Sequence, residues 1–183
     1  VERYANRNLN YTESLLQLNR AEQLTIDSGG LCDLLAVCED AVSQMTPQAA
    51  AKQCPVRIEH GDEEFWVSGD YELLQRAVVN LISNAVKYAA TAKGIVVGLS
   101  IEAQHAVVSV SDYGPGMTPE QLASAFERFA RAPTHQEGAG LGLYFVKQVV
   151  ERHGGSIALS SQRSQAGCTF TCRLPLQNLD FLP

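Results

Sequence analysis

The sequence predicts an α+β domain, a two-layer α/β sandwich with helices on one face of a sheet, preceded by an N-terminal helix. Three observations support this class. Short apolar segments typical of strands come in pairs and alternate with longer segments of helical periodicity. The 183 residues are enough to bury one substantial core. Ser28, Gly29 and Gly30 break the chain after the leading helix.

Charge and cysteine content exclude several classes of protein. The net charge of −6 disfavours a nucleic-acid-binding surface, which would be basic. No apolar run approaches the roughly 18 residues of a membrane span, and no signal peptide is evident. The cysteines lack a C-x-x-C spacing, so buried thiols in a reducing compartment are favoured over a zinc site or a disulfide framework. The chain begins at Val1 rather than Met, which indicates a piece of a longer protein.

Residues 1–27 form the first predicted helix, because one apolar stripe runs along them at helical spacing. The stripe consists of Tyr4, Tyr11, Leu15 and Leu18. A seven-residue spacing favours packing on another helix, including one from a second chain, and packing on the domain's own core is an equal alternative.

A second helix is expected from Leu31 onward, with Pro47 near its end. Its apolar face consists of Leu31, Leu34, Leu35, Cys38, Ala41 and Val42. Two short strands, 56–59 and 65–67, follow on either side of a Gly-Asp turn.

A long helix over residues 71–90 comes next, with Asp70 in the N-cap position. Strands over 95–102 and 106–111 are expected to pair. A loop-rich stretch leads to a helix over 143–153, which Gly154 and Gly155 end. The last predicted strands are 156–160 and 168–174.

Four polar residues share one face of the long helix, namely Asn80, Asn84, Lys87 and Tyr88. Amide oxygens can ligate Mg²⁺, and a lysine can meet a phosphate. Asparagines that brace neighbouring loops are the alternative explanation.

Glycine-rich segments follow the strand ending near Ser111 and precede the helix at 143. In the first, Asp112 can accept a hydrogen bond from an exocyclic amine such as that of adenine, and glycines let a flat ring come close. In the second, Gly138, Gly140 and Gly142 lead into a helix N-terminus, which is a phosphate cradle by its free N–H groups and dipole. This second segment is neither a Rossmann nor a Walker A motif, and a glycine hinge is the alternative.

The stretch between these glycine segments is expected to form a mobile lid. Phe126 and Phe129 would anchor its base, and Arg128 and Arg131 would be available to phosphate. A surface helix end followed by a solvated loop is the alternative.

Together these segments resemble the ATP-binding catalytic domain of sensor histidine kinases, in the superfamily of gyrase B, the HSP90 chaperones and MutL. The matched boxes are the N box at 80–88 (NLISNAVKY), the G1 box at 112–117 (DYGPGM), the F box at 126–131 (FERFAR) and the G2 box at 138–143 (GAGLGL). Residues 153–157 and 167–175 match the closing segment. The resemblance covers residues 31–176, leaves 177–183 as a C-terminal tail, and implies the Bergerat ATP-binding fold.

The resemblance also implies roles for individual residues. Asp112 would read the adenine amino group with Thr169 nearby, and Tyr88 would meet the lid-side edge of the nucleotide. Lys87 would meet a phosphate, and Asn84 would ligate Mg²⁺ with Asn80 beside it. Gly114 and Gly116 would shape the adenine end, and Met117 and Phe129 would also belong to the nucleotide-binding residues. The phosphates would receive backbone N–H groups from Gly138, Gly140, Leu141, Gly142 and Leu143. Arg128 or Arg131 would stabilise the transferring γ-phosphoryl group.

Asn80 distinguishes branches of this superfamily, because the hydrolysing members carry a glutamate there. Asparagine cannot take a proton from water at neutral pH, so transfer to another group is favoured over hydrolysis. None of the four histidines, His60, His105, His135 and His153, precedes an acidic residue as the family's phosphoacceptor does. Residues 1–27 resemble the second helix of the family's dimerisation hairpin, whose first helix and histidine are missing.

The expected protein is therefore a cytoplasmic histidine kinase catalytic domain that uses ATP and Mg²⁺. Its partners would be its own phosphoacceptor helix, a response regulator and, in the whole protein, a second copy, but no nucleic acid. A membrane anchor in the parent protein is left open. The alternatives are a nucleotide-binding scaffold or switch, an ATPase of the chaperone or topoisomerase type, and a protein-serine kinase of the anti-sigma-factor type.

Overall fold

A computed structural model describes Leu16, Asn19 and residues 30–88, 91–130, 140–161 and 167–177. Within the helix expected over residues 1–27, Leu16 and Asn19 are both helical and exposed, and the other residues lie outside the described part. The proposed tail lies outside it too, apart from Gln177. The boundaries of these two terminal segments therefore stay predictions.

Seven strands and four helices make up the described domain. The strands are β1 (Gly30–Asp33), β2 (Val56–Glu59), β3 (Trp66–Gly69), β4 (Ile95–Glu102), β5 (His105–Ser111), β6 (Ser156–Ser161) and β7 (Cys168–Pro175). The helices are α1 (Leu34–Ala51), α2 (Tyr71–Tyr88), α3 (Pro119–Ser124) and α4 (Gly142–Arg152). No helix in these ranges is long and apolar enough to cross a membrane.

Five strands form the main sheet, in the order β2-β4-β5-β7-β6. β2 is parallel to β4, and the other neighbours are antiparallel. β7, the last of the described strands, is thus inserted between β5 and β6. β1 and β3 form a separate two-stranded antiparallel sheet. The predicted α+β sandwich is confirmed.

The core lies between the main sheet and helices α1, α2 and α4, since each contributes a buried apolar face. Alternate residues of β7 are buried, so Cys168 and Cys172 share the core face as their spacing indicates. All five cysteines are buried and unpaired, which fits the expectation of small apolar core residues.

The helix expected to begin at Leu31 begins instead at Leu34, so that prediction was wrong. Residues 30–33 pair with β3, and the spacing of Leu31 and Leu34 imitates a helical face across the strand-to-helix junction. The Asp33 side chain caps α1 by accepting a hydrogen bond from the Leu35 N–H at 2.9 Å.

The loop-rich stretch after β5 contains the short helix α3, which the periodicity did not predict. Its start is a capping box, in which the side chains of Thr118 and Gln121 each accept a hydrogen bond from the other's N–H. From residue 30 onward, the remaining predicted helices and strands are present with ends shifted by a few residues, and the long helix is described as far as Tyr88.

Candidate functional site

The polar face of α2 is partly open to solvent, while its other face is buried in the core. The helix begins at the predicted cap, because Asp70 Oδ1 accepts a hydrogen bond from the Leu73 N–H at 3.0 Å. Asn80, Asn84 and Lys87 are half-buried and Tyr88 is exposed. The Lys87 ammonium lies 5.4 Å from the centroid of the Tyr88 ring, so the last turn of α2 carries a cation beside an aromatic face.

The start of α4 lies against Asn80. A Cβ atom built on Gly142 would stand 3.4 Å from Asn80 Oδ1, so the amide oxygen reaches the first turn of this helix. The first N–H groups of a helix have no acceptor within it, and the helix dipole makes that end positive. The Asn80 amide therefore lies beside the positive N-terminal end of α4, at what we call the corner where α2 meets α4.

Gly140 joins this corner to the preceding segment. Its φ of +69° favours glycine, and a Cβ there would stand 2.8 Å from the Ala130 carbonyl oxygen. The Phe129 N–H donates to the Gly140 carbonyl at 2.9 Å, although Phe129 itself has a φ of +64° and an exposed side chain. The chain on either side of residues 131–139 is thus in direct contact.

Arg128, in the same segment, stacks on α4. Its guanidinium carbon lies 4.7 Å from the ring centroid of Tyr144, in the first turn of that helix. Tyr144 was not among the predicted site residues, since no motif or spacing linked it to Arg128. Arg131 and Gly138, which were predicted to contact phosphate, lie outside the described residues.

Asp112 is held by backbone donors on both sides. Its Oδ1 accepts from the Gly114 N–H at 2.9 Å and the Cys168 N–H at 3.2 Å. Burial raises the pKa of the Asp112 carboxyl, against the opposing effect of these two donors. Both of these hydrogen bonds use Oδ1, so the carboxylate is held in one orientation by its inner oxygen.

The loop after Asp112 is locked to the end of β6. Ser161 Oγ accepts from the Met117 N–H at 2.9 Å and donates to the Gly167 carbonyl at 3.0 Å. Gly116 has a φ of +75°, and a Cβ there would stand 2.7 Å from the same Ser161 oxygen. Ser161 is a site residue that sequence reasoning missed, because nothing in its own segment marks it.

Thr169 lies on β7 beside the start of this loop. Its hydroxyl is 2.9 Å from that of Ser111, the residue immediately before Asp112. The predicted residues thus fall into two groups, one around Asp112 and one where α2 meets α4.

His153 connects the two helices at their far ends. It is 6% exposed, its Nδ1 lies 2.7 Å from the Val149 carbonyl, and its Nε2 lies 3.0 Å from the Asp70 backbone nitrogen. Because Nε2 faces an N–H donor, the ring is neutral with its proton on Nδ1. Burial lowers the pKa of His153, and its two hydrogen bonds tie the end of α4 to the start of α2.

Comparison with known proteins identifies the family of the chain. Residues 69–178 match the family described as "Histidine kinase-, DNA gyrase B-, and HSP90-like ATPase". "Sensor protein kinase PmrB" of Pseudomonas aeruginosa is 35% identical over 145 residues, which are 78% of this chain and 30% of that protein. "Sensor histidine kinase RppB" of Synechocystis sp. is 31% identical over 181 residues, 96% of this chain and 40% of that protein. The chain therefore spans well under half the length of these two relatives.

Solved structures show the same fold. The "Mycobacterial sensor histidine kinase MprB" is 28% identical with a TM-score of 0.72, over 82% of this chain and 99% of that chain. Full-length ShkA in complex with AMPPNP is 24% identical with a TM-score of 0.81, over 96% of this chain and 37% of that chain. The family match covers more than half of the sequence and spans the N, G1, F and G2 boxes. The chain belongs to the histidine kinase-, DNA gyrase B- and HSP90-like ATPase family, as an ATP-binding domain of the sensor histidine kinase type.

Proposed function

We propose that this domain binds ATP with Mg²⁺ and transfers the γ-phosphoryl group to a histidine on a helical hairpin of the whole protein. A response-regulator aspartate would receive the group next. The observation that carries the proposal is the amide of Asn80 at the first turn of α4, where the hydrolysing members of the family have a carboxylate.

Adenine recognition rests on Asp112. Its Oδ1 is occupied by two backbone donors, which orient the carboxylate so that Oδ2 can accept a hydrogen bond from the adenine amino group. A ligand donor on a charged, partly buried acceptor gives a strong hydrogen bond. Thr169, Gly114, Gly116 and Met117 would line the same end of the nucleotide.

Phosphate binding rests on the corner where α2 meets α4. The backbone of Gly140, Leu141, Gly142 and Leu143 supplies N–H groups at a positive helix end. Lys87, in the last turn of α2, adds a charge that attracts the polyphosphate. Arg128 would add a second cation, which stacking on Tyr144 places at α4.

Mg²⁺ would be held by the amide oxygens of Asn84 and Asn80 together with phosphate oxygens. The two amides share one half-open face of α2, and hard oxygen ligands suit this ion. No cluster of three or more His, Cys, Asp or Glu able to hold a metal occurs in the described part of the chain. The ion would offset the negative charge of the phosphates.

Transfer to a protein side chain, rather than hydrolysis, follows from Asn80. An amide has no lone pair basic enough to deprotonate water at neutral pH, whereas phosphoryl transfer needs mainly positioning and charge compensation. Residues 1–27 would supply one helix of the hairpin, which would form a dimer in the whole protein. We place this domain in the cytoplasm, where ATP is available.

A phosphotransfer assay tests the proposal, in which this domain is mixed with radiolabelled ATP and the separate histidine-bearing hairpin of the same protein. We expect radiolabel from ATP to appear on the hairpin and to be acid-labile. Asp112→Asn should weaken ATP binding about 10- to 100-fold, because the amide would turn its NH₂ group toward the adenine amine and leave donor facing donor.

Asp33→Asn is the matched control, since asparagine also caps helices and Asp33 caps α1 away from the site. It should bind and transfer like the unmodified chain. ATP binding without label on the hairpin would contradict the transfer and favour a nucleotide-binding switch. Release of inorganic phosphate at a rate unaffected by the hairpin would favour an ATPase.

A further inference from the structure

The His153 ring is fixed between three elements of the fold. Nε2 lies 3.0 Å from the Asp70 nitrogen, just before α2, and Nδ1 lies 2.7 Å from the Val149 carbonyl oxygen in α4. The end of β3 closes the third side, because a Cβ atom built on Gly69 would collide with the ring. The ring therefore fastens the end of α4 to the start of α2.

This contact and the corner where α2 meets α4 are the two ends of one helix pair. The start of α2 meets the end of α4 at His153, and further along α2 Asn80 reaches Gly142 at the start of α4. The two helices thus run in opposite directions, and each buries apolar side chains in the core. α4 has 11 residues, so about 16 Å separate the ring from the backbone N–H groups proposed to bind phosphate.

The contact with Asp70 exists only while the ring is neutral. Nε2 accepts the Asp70 N–H, so a proton on Nε2 would set two donors against each other and place a charge in a buried site. The Asp70 carboxylate attracts that proton, but its Oδ1 already caps α2 through the Leu73 N–H. Protonation therefore opposes the bond that joins the two helices.

The other titratable groups around His153 do not replace this bond. The Cys32 thiol, in β1, donates to the carbonyl just before Asp70 at 3.2 Å, and burial, followed by the charge of Asp70, raises its pKa. The thiol is therefore uncharged at neutral pH. Glu151 and Arg152, which precede the ring in α4, are exposed. Asp70 is thus the charge that acts on the ring.

α4 transmits a change at one end to the other. Its buried face lies in a close-packed core, so the helix shifts as a body when it is released at His153. At its other end, the free N–H groups of the first turn and the Asn80 amide have to meet one phosphate chain together. Misplacement of such groups by about 1 Å is costly, because a preorganised site loses its advantage.

We propose that the neutral His153 ring is a positioning residue for the phosphate-binding end of α4, so that protonation of this ring weakens nucleotide binding. The proposal rests on the proposed function, since it needs ATP at this site. Linkage makes the effect reciprocal, so bound nucleotide must lower the pKa of His153. The direct field of the phosphates has the opposite sign, because negative charge favours the protonated ring and raises its pKa.

NMR titration of the histidine rings tests this, with the 183-residue chain alone and saturated with a non-hydrolysable ATP analogue and Mg²⁺. We expect the analogue to lower the pKa of His153 by about 0.3 to 1, which equals an about two- to tenfold weaker affinity for the protonated form. The ring signals of His60, in an exposed loop, are the matched control and should follow one curve in both states.

His153→Gln gives a second measurement, because glutamine offers a donor and an acceptor but does not titrate. Titration calorimetry at pH 8 and pH 5.5 should show that affinity for the analogue falls about two- to tenfold more in the unmodified chain than in the variant. The titration of the analogue itself and that of Asp112 occur in both proteins and cancel in this comparison.

The outcomes separate this inference from the function on which it rests. A pKa of His153 that the analogue raises or leaves unchanged would overturn the inference, whether or not the variant folds, and so would a ring that stays neutral in both states down to acid unfolding. Equal pH dependence of affinity in the two proteins would overturn it as well. Any of these results, with normal binding that Asp112→Asn weakens, would leave the proposed function standing. Absence of nucleotide binding by the unmodified chain at pH 8 would refute both.

Discussion

Replacement of His153 by glutamine should flatten the pH dependence of the stability of this domain. In the folded chain the neutral ring accepts the Asp70 N–H through Nε2, and Nδ1 bonds the Val149 carbonyl. Protonation would set an Nε2–H against the Asp70 N–H, so that two donors face each other. The ring has little room to turn away, because a Cβ atom built on Gly69 would overlap it.

The sign of the effect follows from the lowered pKa. Burial is the largest cause and lowers the pKa of His153 below its ordinary value of 6.5, while the Val149 carbonyl and the charge of Asp70 act in the opposite direction. The unfolded chain therefore binds more protons, and stability rises with pH. The stability that the neutral His153 ring contributes is complete above about pH 6.5. It is lost as the pH falls toward the pKa of the folded state, by at most about 1.4 kcal/mol per pH unit.

Urea unfolding between pH 8 and pH 5 measures this directly. At pH 8, His153→Gln should lower the free energy of unfolding by about 1–3 kcal/mol, the loss associated with a buried N–H whose acceptor is removed or displaced. The difference in the free energy of unfolding between the unmodified chain and His153→Gln should narrow toward pH 5. Asp112, whose pKa burial raises, is present in both and cancels in the difference. His60→Gln, in an exposed loop, is the matched control. Parallel curves for the unmodified chain and His153→Gln would refute the reasoning.

Three further predictions concern backbone, capping and thiols. Gly140→Ala should destabilise the fold by at least about 1 kcal/mol in urea unfolding and weaken ATP binding, because φ is positive and the new Cβ meets the Phe129 backbone; unchanged stability would contradict this. Thr118→Ala should lower stability by about 1 kcal/mol through loss of the capping box, whereas Thr118→Ser should be nearly neutral. Cys38 and Cys172 should resist alkylation at pH 8 until urea unfolds the chain, since burial raises the pKa of each thiol to about 12; rapid labelling of the folded protein at either would count against it.

Much of the fold could be predicted because, along most of the chain, the spacing of apolar residues and the capping and turn residues indicate the same secondary structure. The long helix was located by its apolar face and by Asp70, which caps it as expected. β1 was missed because Leu31 and Leu34 have helical spacing, although Asp33 between them is a favoured N-cap and marks the true start of α1. α3 buries no residue fully, so it lacks an apolar stripe, and its signal is the capping box at Thr118.

The motif residues of the candidate site could be named from the sequence, but the residues that hold their segments in place could not. Motif spacing identifies Asn80 and Asp112, because each lies in a segment whose local chemistry is unusual. Ser161 and Cys168 bond the segment that begins at Asp112, and Tyr144 contacts Arg128, each from elsewhere in the chain. Such contacts depend on tertiary packing that no local period encodes.

The position of β7 has a consequence for how the domain is made. This strand comes last in the described chain, yet it is inserted between β5 and β6 and its Cys168 N–H holds the Asp112 carboxylate. During synthesis, the segments that carry Asn80, Asp112 and the glycine loop all leave the ribosome before the strand that completes the sheet. A nascent chain arrested ahead of residue 168 would therefore possess every N, G1, F and G2 motif and still lack the backbone donor that holds Asp112, so the adenine contact proposed above would form only after this strand has been made.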